Sequence, residues 1–364
     1  MGLESVYKDM ASWYRGLHEY IFESPEFVPL QEFLVLPKDQ TQHLHSWHML
    51  FGELRNRFLW ADQLRNLMAK AILGYTQERL KIPRSPWIHD SSVQVLSNRL
   101  AKCGNLMLPQ IPKEKAAEMR KYFETQPVFS QDRSRLIPLN ELPTTLNTAE
   151  YPVKSVLRCP HLLEYATDPA LLSIIETYLG APPTAIIATA WRSFAGREAA
   201  KDSQLFHYDF ADYRFCNLFF YLTDVDMNSG PHVYIEGTHT AEHLKQLIDG
   251  KFPGDVLEQF VQWYNFQLRK SDAEVARFIG KEPKYFLGPA GTTFLVDTRG
   301  IHKGLLPETS DRLLAQITFA LTPAIQTELS EGPDVLELPE RLRRPPLNYT
   351  YRLLIGSSNS YRET

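Results

Sequence analysis

The chain has 364 residues, 43% of them hydrophobic, which is enough for a buried core in one large domain or two smaller ones. Its 39 basic and 43 acidic residues give a formal charge of -4, so there is no global positive field for a polyanion. Nucleic acid is thereby excluded as the expected partner, and a small-molecule substrate becomes the default.

Cys103, Cys159 and Cys216 form an odd set without CxxC spacing, which argues against a disulfide framework or a zinc knuckle and fits a reducing, cytoplasmic setting. The opening MGLESVYKDMASWYRG lacks the order of a signal peptide, and Val6 after Gly2 misses the myristoylation pattern. No apolar run reaches membrane-spanning length, so no membrane association is expected. From Trp47 to Tyr75 apolar residues recur every three or four positions, which predicts one amphipathic helix ended by Pro83 and Pro86. A second helix is predicted after Pro112, through KEKAAEMRKYFE to Pro127. A third has Asp168 as N-cap, Pro169 in its first turn and Gly180 as its stop.

After residue 183 the texture becomes β-rich: TAIIATAWRSF, QLFHYDF, RFCNLFFYLTDV, PHVYIEG, TTFLVD and LLAQITFALT, separated by turn residues. Such short strands predict a mainly β core, a barrel or double-sheet jelly roll. A helical pattern over about 241–280 reads as an insertion between strands. The Pro- and Arg-rich tail from Pro323 reads as an irregular wrap.

Chemistry concentrates at Phe206-His207-Tyr208-Asp209. On a β-strand, alternation sends His207 and Asp209 to one face, so imidazole and carboxylate can meet on one ion. A third ligand is available in His302, after the apolar strand Thr293-Phe294-Leu295-Val296. Two histidines and one carboxylate on one face of an octahedron leave open positions, the arrangement suited to iron(II) that must also bind a cosubstrate and O2. Arg312, at the start of the next strand, offers a guanidinium that can grip a carboxylate through two parallel hydrogen bonds. Other polar residues have simpler explanations. Asp224 and Asp226 suit turn chemistry beside Asn228-Ser229-Gly230, His232 and His239 read as polar turn anchors, and His43, His45 and His48 as solvated.

Residues about 100 to 322 resemble the phytanoyl-CoA dioxygenase family, through GNLMLPQIPKEKAAEMRKYF, DPALLSIIETYLGAPP, HYD, NLFFYLTDVDMNSGPHVYIEGTH and GTTFLVDTRGIHKGLLPETSDR. The chain departs from that pattern at Glu236-Gly237-Thr238-His239, where the family commonly has Pro-Gly-Ser-His, and at Thr292, where Asp often follows the glycine. The resemblance implies a double-stranded β-helix (jelly roll, cupin-like) with flanking helices. It also implies Fe(II), the cosubstrate 2-oxoglutarate and O2 as reactants, with iron on His207, Asp209 and His302 and the distal carboxylate of 2-oxoglutarate on Arg312. Gln204, Asn217 and Trp191 are the candidates for its C1 carboxylate. The expected reaction is oxidation of an unactivated carbon, most simply hydroxylation, with release of succinate and CO2. A cupin-like metalloenzyme without 2-oxoglutarate and a non-catalytic jelly-roll binding protein are the alternatives. The implied organisation is a helical extension over 1–95, the oxygenase unit over 96–322 and a packing tail over 323–364.

Overall fold

The computed structural model describes residues 3–36, 44–57, 61–324 and 339–355. Gly2, His43 and much of the tail therefore lie outside the described residues, as does the side chain of His48.

The described residues form eleven strands: β1 (Asn105–Met107), β2 (Val128–Phe129), β3 (Leu136–Ile137), β4 (Thr148–Tyr151), β5 (Thr184–Ser193), β6 (Phe215–Tyr221), β7 (His232–Tyr234), β8 (Lys284–Phe286), β9 (Thr293–Val296), β10 (His302–Gly304) and β11 (Arg312–Ala320). Six of them form an antiparallel sheet in the order β1-β9-β6-β11-β5-β4, and β10-β7-β8 form a second antiparallel sheet. This mainly antiparallel core with flanking helices is consistent with the expected jelly-roll class.

Alternation divides the large sheet into two faces. On one face Leu313, Ala315, Ile317 and Phe319 of β11 join Ile186, Ala188 and Ala190 of β5 in the main hydrophobic cluster. That cluster also takes Met10, Leu17 and Ile21 of the Leu3–Glu23 helix and Met68 and Ile72 of the Asp62–Glu78 helix. The N-terminal helices thus cover the back of the sheet, tied to it by Tyr213 Oη donating to Phe51 O at 2.9 Å. The other face carries the site.

The single helix expected from Trp47 to Tyr75 is instead two, Leu44–Arg57 and Asp62–Glu78. Ala61 has φ -112° and ψ 77°, outside helical geometry, and Asp62 opens the second helix where a carboxylate complements the helix dipole. Apolar spacing persists through such a break, so periodicity alone misses it. The Pro169–Leu179 helix has the expected ends: the Asp168 side chain accepts from Leu171 N, and Gly180 supplies the left-handed stop at φ +89°. The insertion is helical as expected, in three pieces, Ala241–Ile248, Gly254–Phe266 and Asp272–Phe278. The tail is less irregular than expected, with helical turns at Leu347–Thr350 and Arg352–Ile355 packed into the main cluster. Among the described residues no helix is long and apolar enough to cross a membrane.

Candidate metal centre

The HYD segment is not the ladder strand that alternation presupposes. It pairs through isolated bridges, Phe206 with Lys270 and His207 with His302. The effect on side-chain direction is nevertheless that of a strand. His207 N–H donates to His302 O at 2.9 Å, His302 N–H donates to His207 O at 2.8 Å, and Asp209 N–H donates to Thr298 O at 2.8 Å. Directly opposed residues of an antiparallel pair project to the same side, so both imidazoles and the Asp209 carboxylate converge.

The ligand atoms of His207, Asp209 and His302 all lie within 4.8 Å of one another. His207 Nε2 is 3.7 Å from Asp209 Oδ1, and His302 Nε2 is 3.6 Å from Asp209 Oδ2. Each imidazole is oriented by the same local device. His207 Nδ1 donates to Leu205 O and His302 Nδ1 to Gly300 O, both at 2.9 Å and both two residues back. A carbonyl can only accept, so each ring carries its proton on Nδ1 and turns an unprotonated Nε2 toward the shared space. Burial and the neighbouring His302 ring push the His207 pKa well below its ordinary value, which favours the neutral imidazole that metal ligation needs.

The loop that presents His302 is densely hydrogen-bonded. The buried Asp297 carboxylate accepts from Arg299 Nε at 3.0 Å and from Tyr178 Oη. Its carbonyl accepts from Tyr234 Oη at 2.9 Å, and its N–H donates to Gly104 O at 2.8 Å. The Arg299 guanidinium beside it holds the Asp297 carboxyl below its usual range despite the burial.

The three candidate ligands open into a cavity of about 340 Å³ that also takes in Arg312, Trp191 and Asn217. Arg312 is 3% exposed; it donates to Ser193 Oγ at 3.2 Å and to Gly230 O, while its Nε has no partner. No carboxylate among the described residues pairs with it. Burial pushes its pKa down, an effect only partly offset by Tyr221. Gly304 makes room for it, since a Cβ there would stand 2.8 Å from Arg312 Nη2. Asn217 Nδ2 donates to Thr298 Oγ1 at 2.9 Å, and its Oδ1 is buried without a partner. Gln204 is elsewhere: its Oε1 accepts from Asn147 Nδ2 at 2.6 Å and from Lys201 N at 3.0 Å, and it is not on the cavity wall.

His232 is no turn anchor. It opens β7, is buried, and stacks on His302 with ring centroids 5.4 Å apart and planes at 27°. Thr148 and Glu150 of β4, Thr189 of β5, Gln316 of β11 and Ser203 complete the polar wall. Thr189 stands two residues before Trp191 and Gln316 four after Arg312, so alternation from residues already singled out leads to both. Asp226 keeps its turn role, with its Oδ1 accepting from Asn228 N, whereas Asp224 Oδ1 accepts from Ala290 N of a distant loop and joins two segments instead. His239 is away from the cavity, with Nε2 donating to Ala101 O at 2.8 Å.

The sequence matches no family model and no curated protein. Similar solved structures include HygX from Streptomyces hygroscopicus with nickel and 2-oxoglutarate bound, at 16% identity over 69% of this chain and 94% of that one, TM-score 0.41. They also include the non-heme alpha ketoglutarate dependent epimerase SnoN from nogalamycin biosynthesis, at 15% identity over 64% of this chain and 82% of that one, TM-score 0.41. AviO1 from Streptomyces viridochromogenes Tue57 is 13% identical over 64% of this chain and 97% of that one, TM-score 0.38. At that similarity the chemistry of this chain rests on its own residues.

Proposed function

We propose that this chain is an iron(II)- and 2-oxoglutarate-dependent oxygenase of the phytanoyl-CoA dioxygenase-like kind, acting on a small molecule. The carrying observation is the buried, carboxylate-free Arg312 guanidinium in the same cavity as His207, Asp209 and His302. A buried cation without a counter-charge is costly, so a site that keeps one is built to receive an anion. The donor set fits a divalent metal of the iron class: two imidazole nitrogens and one carboxylate oxygen, with no fourth protein ligand among the described residues to close a tetrahedron.

In this reading His207, Asp209 and His302 hold iron(II), and Arg312 with Ser193 receives the distal carboxylate of 2-oxoglutarate. Bound iron supplies the activation of O2 that couples breakdown of 2-oxoglutarate to succinate and CO2 with oxidation of a substrate carbon. The protein's part is orientation and exclusion of water. Asn217 is suited to the C1 carboxylate. With its amide turned over, it accepts from the Thr298 hydroxyl and directs an NH2 into the cavity. Trp191 lines the same wall, whereas Gln204 is off the wall and bound to Asn147. A cavity of about 340 Å³ is at the small end of the range for small-molecule sites, in keeping with a compact substrate beside the cosubstrate.

The unit over 96–322 would carry the chemistry, with 1–95 and 323–364 as support. The cupin-like alternative without 2-oxoglutarate leaves Arg312 unexplained. The test is O2-dependent conversion of 2-oxoglutarate to succinate by the iron-loaded protein, including slow turnover without substrate. No succinate from iron-loaded protein, with or without a broad panel of small molecules, would reject the reading.

A further inference from the structure

The helical insertion is more than a decoration on the sheet. Its apolar core is separate from the main cluster, and it is built around Phe260, Trp263 and Tyr264 of the Gly254–Phe266 helix. Into that core go Phe206 and Tyr208, the residues on either side of His207, and Ile301, the residue before His302. The chain alternates here between ligand and packing residue, so the metal ligands stand on one side of the segment and the insertion on the other.

One contact is made at Tyr208, between His207 and Asp209. Its ring stacks on Tyr264, centroids 4.8 Å apart and planes at 14°, and its hydroxyl donates to Tyr264 O at 2.8 Å. Lys270 completes the joint. Its backbone exchanges two hydrogen bonds with Phe206, of 3.1 and 2.7 Å. Its ammonium is sealed among the rings of Tyr208, Trp263 and Tyr264, at 4.8, 5.2 and 5.7 Å from their centroids, and donates to Gln267 O. A cation held against three aromatic faces in a dry setting is attracted to all of them, which fixes the rings as well as the lysine.

We infer that Tyr208 and Lys270 are positioning residues through which the helical insertion sets the affinity of the His207–Asp209–His302 site for divalent metal. This rests on the reading of those three residues as metal ligands. The ligand segment has no sheet ladder to hold it, only isolated bridges, so the insertion supplies the rigidity a central strand would otherwise give. Because coupling is reciprocal, metal binding in turn holds the insertion against the core.

The experiment uses the full chain and Co(II), whose visible absorption reports ligand geometry directly. The unaltered protein should bind one Co(II) and show slower amide exchange over 254–278 when it does. Tyr208→Ala and Lys270→Met should each weaken Co(II) about tenfold or more, the usual cost of removing an outer support, and alter the Co(II) spectrum. Tyr208→Phe keeps the ring and should recover most of the affinity. Met119→Ala, a core truncation in the remote Lys113–Glu124 helix, should lower thermal stability comparably yet leave Co(II) affinity unchanged. Unchanged affinity and spectrum in Tyr208→Ala and Lys270→Met, with normal binding by the unaltered protein, would overturn the inference alone. Loss of affinity in Met119→Ala to the same degree would overturn it too, by showing a general effect of destabilisation. No Co(II) binding by the unaltered protein would overturn the metal site and the inference together.

Discussion

His207 and His302 are hydrogen-bonded to each other twice through their backbones, at 2.9 and 2.8 Å, and their rings lie 4.2 Å apart between centroids. Two candidate ligands far apart in sequence are thus held as a facing pair by the backbone itself. The backbone holds the spacing, the carbonyls of Leu205 and Gly300 hold the ring orientations, and only Asp209, with its carboxylate 39% exposed, keeps freedom to adjust.

His207→Ala, His302→Ala and Asp209→Ala should each abolish tight binding of iron(II), measured by titration without oxygen. Tight iron binding that survives all three changes would place the site elsewhere.

Arg312→Ala should leave iron affinity nearly intact and weaken 2-oxoglutarate by about 2 kcal/mol, roughly thirtyfold, as expected for loss of a sheltered charged pair. Arg312→Lys should restore only part of this, since an ammonium cannot make the paired contact of a guanidinium. An unchanged 2-oxoglutarate dissociation constant in the alanine variant contradicts the assignment.

Gly304→Ala offers a gentler version of the same test. The new Cβ would meet Arg312 Nη2 at 2.8 Å, and the guanidinium, held by Ser193 and Gly230, has to shift. Calorimetry should show weaker 2-oxoglutarate binding of several fold with iron binding kept. Equal affinity would mean that Arg312 has slack in this pocket.

Buried His239 makes the fold acid-sensitive. Burial lowers its pKa from 6.5 to about 4, so the folded chain resists a proton that the unfolded chain accepts. The contribution is present in full above pH 6.5 and is lost as pH falls from there toward 4, by about 3 kcal/mol at the end of that window. Urea midpoints should fall from pH 7 to pH 5, and His239→Gln, which can still donate to Ala101 O, should flatten the slope. A slope unaffected by that change would assign the sensitivity to other buried histidines.

With Asp209 in the ligand set, the product should be oxygenated, desaturated, cyclised or epimerised, and not halogenated. The carboxylate holds the coordination position that chloride would need. Mass spectrometry of products formed in excess chloride or bromide checks this, and a halogenated main product would remove Asp209 from the metal.

Much of the site is legible in the sequence because its signals are local. HYD gives two ligands by alternation, and His302 and Arg312 flank apolar strands whose edges are easy to read. Asn217 and Trp191 reach the cavity wall for the same reason. What stays hidden depends on distant pairing. Thr148 and Glu150 sit on a four-residue edge strand whose place beside β5 no local pattern reveals. Gln204 looks like a wall residue from its closeness to His207, yet the turn at 202–204 takes its amide to Asn147. The stacking of His232 on His302 and the backing of Tyr208 by Tyr264 join segments with no common periodicity, so only folding brings them together. The break at Ala61 is invisible for the opposite reason, because the apolar rhythm on both sides of it is unchanged.

The most direct test of the account is calorimetric titration of 2-oxoglutarate, without oxygen, into metal-free and iron(II)-loaded protein. If iron held by His207, Asp209 and His302 and the guanidinium of Arg312 share one ligand, 2-oxoglutarate should bind once per chain to the loaded protein and far more weakly to the metal-free one. Equal binding to both forms, or none to the loaded form, would contradict it.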